Sequence, residues 1–173
     1  MSVLGASLRR DIEIRRYPFL AYVLVPLAAL VLQAWLPRVA GRYAWFDLPL
    51  VVTVYFSLSR RSPVQGTFMG AVIGLFEDAL SHRAIGVNGI AKTLVGFLGA
   101  SVGIRIDVEN HAIRLILTFV LSLLSSATCI FVYRVLLGLH YEWQWFTEVF
   151  IALGNSVVAV IFFPLLDRLQ VRE

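Results

Sequence analysis

A chain of 173 residues that is 59% hydrophobic, 15% charged and +0.81 in mean hydropathy is too apolar for a water-soluble domain, which carries about 45–50% apolar and about 25% charged residues. Its net charge of +4 comes from arginines scattered at the ends of apolar runs, so no basic patch points to nucleic acid. The single cysteine, Cys129, excludes an intrachain disulfide and any metal site built on cysteine pairs.

A membrane-spanning helix needs about 20 mainly apolar residues. The first candidate, Tyr17–Leu36, follows Arg9, Arg10, Arg15 and Arg16 and contains Pro26. It is long for a signal-peptide core and further apolar runs follow, so an uncleaved first helix is expected. The second, Tyr43–Leu58, is short and interrupted by Asp47 and Pro49. The third, Val64–Leu80, holds Glu77 and Asp78, and the fourth, Asn88–Ile106, meets Lys92 about one turn in. The fifth, Ile113–Leu137, is uninterrupted until Arg134, and the sixth is Phe146–Leu166. The fold expected is all-α: one domain, residues 1–173, forming a polytopic membrane bundle of six transmembrane helices. Spans two to four are short, and a re-entrant segment among them is the alternative.

With the N-terminus inside, Arg9, Arg10, Arg15, Arg16, Arg60, Arg61, Arg105, Arg114, Arg168 and Arg172 are cytoplasmic. Arg38, Arg42, Arg83, Lys92 and Arg134 fall outside. This excess places both termini in the cytoplasm under the positive-inside rule. Trp35, Trp45, Trp143 and Trp145 lie beside the loops placed outside, as interfacial tryptophans do.

The polar residues inside the spans carry the functional question. At about 100° per residue, Gly66, Gly70, Gly74, Glu77 and Asp78 share one side of the third span. Phe68, Met69, Val72 and Phe76 take the other. On the fourth span Lys92, Gly96, Gly99 and Gly103 share one narrow stripe. Small residues at such spacing let membrane helices approach closely. The expectation is a glycine seam between spans three and four, with Lys92 paired to Glu77 or Asp78 near its outer end, since pairing reduces the cost of an intramembrane charge. The alternative is that all three snorkel to headgroups as interface anchors. A proton relay would need more polar steps than the chain offers.

Ser122, Ser125, Ser126 and Thr128 are expected to serve close packing, and Asn155 and Ser156 interhelical hydrogen bonding. Arg134 is expected to snorkel or to pair with Glu142 or Glu148, and Cys129 to be a buried structural thiol. His82, His111 and His140 form no close-spaced ligand pair, and no HExxH, GxSxG or phosphate-binding loop occurs. No enzyme, cofactor or metal is expected.

The segment "GTFMGAVIGLFEDALSHRAIGVNGIAKTLVGFLGA" is similar to the G-x-x-x-G-x-x-x-G-L-x-x-D pattern, short turn and second glycine-bearing span of the rod shape-determining MreD family. The wider order of features, a basic N-terminus and a proline-containing first span, resembles that family over nearly the whole chain. Gly74, Leu75, Asp78, Gly86 and Gly96 match recurring family positions, whereas Glu77 is an additional charge. Asn88 and Gly89 belong to the same turn. The resemblance implies a non-enzymatic component of the bacterial cell-wall elongation machinery in the cytoplasmic (inner) membrane. It implies MreC as the main partner, with MreB, RodA and a class B penicillin-binding protein reached through the complex, and no nucleic acid. It also implies a fold similar to the S components of ECF transporters, so a small-ligand-binding transporter subunit is the alternative function.

Overall fold

The computed structural model describes residues 18–40, 46–81, 84–106, 108, 110–139 and 144–168. Among them are six α-helices and no strand: α1 (Phe19–Ala40), α2 (Leu48–Arg60), α3 (Pro63–Leu80), α4 (Val87–Gly103), α5 (His111–Phe131) and α6 (Trp145–Asp167). α5 continues as a π-helical segment, Val132–Leu136. Two stretches, His111–Leu136 and Trp145–Asp167, are long and apolar enough to cross a membrane. α2, with 13 residues, and α4, with 17, fall short of that length.

α2 is the centre of the bundle and touches each of the other five helices. Its sequence explains the position. "LPLVVTVYFSLS" has no charged face, and a helix apolar on all sides belongs inside. Every residue from Pro49 to Ser59 is buried. The hydroxyls of Thr53 and Ser57 donate to the carbonyls of Pro49 (2.8 Å) and Thr53 (2.6 Å), so neither is left unpaired in the core. Among the described residues the helix begins at Leu48, inside the expected span Tyr43–Leu58. Asp47 accepts from the Leu50 amide (2.8 Å) and Pro49 sits in the first turn, a combination that starts a helix at Leu48. Residues 43–45 lie outside the described set.

At the end where α5 begins and α6 finishes, a second polar cluster closes the bundle. Arg114 is buried, and its guanidinium pairs with Asp167 at 2.8 Å and donates to the Val108 carbonyl. The Tyr55 hydroxyl donates to the same carboxylate at 2.9 Å. Thus α2, α5 and α6 share one acid. Asp167→Ala would leave the buried guanidinium without its counter-charge. Because the Asp167 side chain keeps 26% exposure, the expected loss is about 2 kcal/mol, below that of a fully buried pair. Thermal unfolding in detergent checks it.

Candidate functional site

α3 and α4 form the tightest junction in the molecule. A Cβ on Gly66 would strike the Gly96 carbonyl, one on Gly70 the Lys92 carbonyl, and one on Gly74 the Asn88 carbonyl. Backbone meets backbone along the whole α3 side of the hairpin, as small residues at intervals of four permit. Gly99 and Gly103 do something different. They face α2, where added Cβ atoms would meet Ser57 (3.2 Å) and Leu58 (2.9 Å). The expected single stripe on α4 is therefore divided between two neighbours, because α4 lies against both α3 and α2 and a side tens of degrees wide serves both.

Lys92 is fully buried. Its Nζ lies 2.6 Å from Glu77 Oε2 on α3 and 2.8 Å from Asp47 Oδ2 at the start of α2. The snorkelling alternative is thereby overturned, since Lys92 and Asp78 are 0% exposed and Glu77 is 6% exposed. An ammonium out of water needs compensation from close, hydrogen-bonding partners, and two carboxylates supply it. Asp47 does three jobs at once. Its Oδ2 meets Lys92, its Oδ1 caps α2, and its backbone amide donates to Asn155 Oδ1 on α6 (2.8 Å). Asn155 Nδ2 then donates to Ser122 on α5 (2.8 Å). One polar chain thus runs from Lys92 through Asp47 at the start of α2 to Asn155 on α6 and Ser122 on α5.

Asp78 is not the partner of Lys92. It accepts from the backbone amides of Gly86 (2.9 Å), Asn88 (3.2 Å) and Gly89 (3.2 Å), and from Asn88 Nδ2 (2.8 Å). Those amides belong to the first turn of α4, whose otherwise unpaired donors and dipole favour an anion. Gly86 adopts φ +103°, a conformation that side chains disfavour, which lets the turn bring its amide back onto the acid. The α3–α4 hairpin is thus closed at its turn by one carboxylate. Asp78→Asn keeps an acceptor but loses the charge, and a drop of about 1–2 kcal/mol in unfolding free energy is expected. Urea titration in mild detergent measures it.

Beside this junction lies a cavity of about 740 Å³ lined from all six helices. Asp47, Glu77, Asn88, Ser122, Ser125, Ser126, Cys129, Glu148 and Asn155 are among its walls. Cys129, expected as a buried structural thiol, is half-buried and donates weakly to Asn88 Oδ1 (3.6 Å). The expected pairing of Arg134 with Glu148 does not form. Arg134 sits on the exposed side of the π-helical segment, and Glu148 is buried against the cavity. Glu142, the other expected partner, lies outside the described residues. Ser156 donates to Ala152 within its own helix, so of the α6 pair only Asn155 bonds between helices.

The twelve residues singled out from the sequence, from Gly66 to Gly103, all belong to the α3–α4 hairpin. The structure brings Glu77 and Lys92 together, gives Asp78 and Asn88 to the turn, and sets Gly66, Gly70 and Gly74 against Gly96 and the backbone beside it. Gly89 packs on Leu75. Missed were Asp47, noted only as an interruption, Asp167, and the burial of Glu148, weighed only as a partner for Arg134. Asp47 could have been found from "FDLP", where aspartate two residues before proline marks a capped helix start.

Comparison with known families matches residues 13–171, nearly the whole chain, to the family model described as rod shape-determining protein MreD. No curated protein and no solved structure matches the chain.

Proposed function

The chain belongs to the MreD family of rod shape-determining proteins, and from that premise we propose that it is a non-enzymatic, multi-pass component of the bacterial cytoplasmic membrane. In this reading its six helices all lie within the membrane, with the short α2 held at the centre by the other five rather than matched to lipid along its own length. Its work is to hold MreC, and through MreC the peptidoglycan synthases of the elongation machinery, by contact between helices.

The observation that carries this is the α3–α4 hairpin. Its charges Glu77, Asp78 and Lys92 are engaged within it and with Asp47, and its outward side offers an apolar groove. Ala71, Gly89 and Thr93 floor the groove, with Leu75, Ile90 and Phe97 standing at 46%, 48% and 46% exposure beside it. Small residues flanked by large apolar ones admit another helix closely, which suits the single span expected of MreC. Ala71→Trp fills the groove without touching the seam. Expected in a strain whose own copy is deleted are normal membrane levels, loss of MreC on co-purification, and rounded cells. Retained MreC and rods would place the contact elsewhere. Co-purification with an ECF energising module instead would favour the transporter alternative.

A further inference from the structure

We propose that the cavity beside the Lys92 junction binds a primary ammonium group, carried by a small free amine or by an aminophospholipid headgroup. Glu148 carries the argument. It lies in the first turn of α6, is 8% exposed, and lines the cavity. No described residue forms a hydrogen bond or ion pair with its carboxylate. A carboxylate held against a cavity wall with no partner among the described residues presents its charge to whatever fills that cavity. The other buried charges among the described residues are answered: Lys92 by two acids, Asp78 by the α4 amides, Arg114 by Asp167.

Asp47 and Glu77 border the same cavity, so its walls are acidic on more than one side. A bare metal ion fits poorly, because among the described residues no three His, Cys, Asp or Glu side chains gather closely enough to hold one. The space also exceeds what an ion needs and lies within the range of small-molecule sites. An ammonium suits separated acceptors, since it donates three hydrogen bonds. Glu148 takes the charge-assisted one, and the hydroxyls of Ser125 and Ser126 on the facing α5 wall are within the same cavity. The site is independent of the MreC contact, which uses the opposite side of α3 and α4, so either proposal can fail alone.

The test uses the full chain in nanodiscs. Calorimetric titration with spermidine and ethanolamine probes free amines, and native mass spectrometry of phosphatidylethanolamine against phosphatidylcholine discs probes the headgroup. The expected result is saturable binding of at least one primary-amine source and none of tetramethylammonium, which has no N–H to donate. Which arm binds identifies the source. Glu148→Gln should weaken that binding about 10- to 100-fold, while its ligand-free unfolding midpoint stays level or rises. The proposal is overturned if no primary amine binds better than tetramethylammonium or phosphatidylcholine. It is equally overturned if Glu148→Gln binds as wild type does, or if its ligand-free midpoint falls, which would reveal an internal partner for Glu148.

Discussion

Replacing Lys92 with alanine is expected to destabilise the protein by about 3–5 kcal/mol, the range for breaking a buried ion pair from one side. Glu77 and Asp47 would then face each other with no ammonium between them. Alanine would also leave a void where a fully buried side chain had been. Lys92→Met separates the two effects, because methionine restores much of the volume and none of the charge. If the electrostatic account is right, Lys92→Met remains destabilising by most of the same amount. Exchanging Lys92 and Glu77 would recover only part of the loss of either reversal, since Asp47 would then sit against the new glutamate at position 92. Full recovery would show that Asp47 contributes nothing. Chemical unfolding in detergent reads each variant.

The second large effect is at Gly70. Alanine is favoured over glycine within a helix by about 1 kcal/mol, so Gly70→Ala would stabilise an isolated α3. In the hairpin its Cβ would collide with the Lys92 carbonyl, a backbone atom that cannot move without moving α4. The two helices would have to separate, and with them Lys92 from Glu77. A net loss on the order of 3 kcal/mol is expected, beyond ordinary overpacking because no side chain can yield. Gly99→Ala is the internal comparison. There the nearest atoms are the Ser57 Cβ (3.2 Å) and Leu121 Cδ1 (3.5 Å), side-chain atoms that can shift a few tenths of an ångström. Its cost should be within about 1 kcal/mol of zero. Equal effects at the two positions would refute the backbone contact along the α3–α4 seam.

The seam was legible because glycine spacing is a local property. Gly66, Gly70 and Gly74 recur at intervals of four, and the helical period alone sends them to one face. The nearness of Glu77 and Lys92 followed from chain direction, since α3 and α4 run oppositely about a short turn. Two features were not legible. Asp47 joins Lys92 from 45 residues away, and no periodicity within α2 says which helix its N-terminus will meet. The central place of α2 was hidden for a related reason. Its shortness marked it as a weak span, yet a helix enclosed by five others does not need to match lipid thickness along its own length. Asp78 shows a third limit. From helical angle it was as good a partner for Lys92 as Glu77, and only the fold of Gly86–Gly89 back onto it made it a cap.

The central claim is that the part-buried Asp47 and the buried Glu77 and Lys92 join helices and perform no chemistry. A buried ion cluster replaced as a whole by uncharged groups of similar size is often neutral for stability, whereas removing one member is not. The decisive measurement is therefore rod-shape complementation by the triple variant Asp47→Asn, Glu77→Gln, Lys92→Met, with asparagine retained at position 47 because it still caps α2. The account predicts rod-shaped cells and wild-type membrane levels for the triple variant, and rounded cells with depleted protein for Lys92→Met alone. Rounded cells from a triple variant that is stable and present at normal level would contradict it, because the charges would then be needed for something other than holding the helices together.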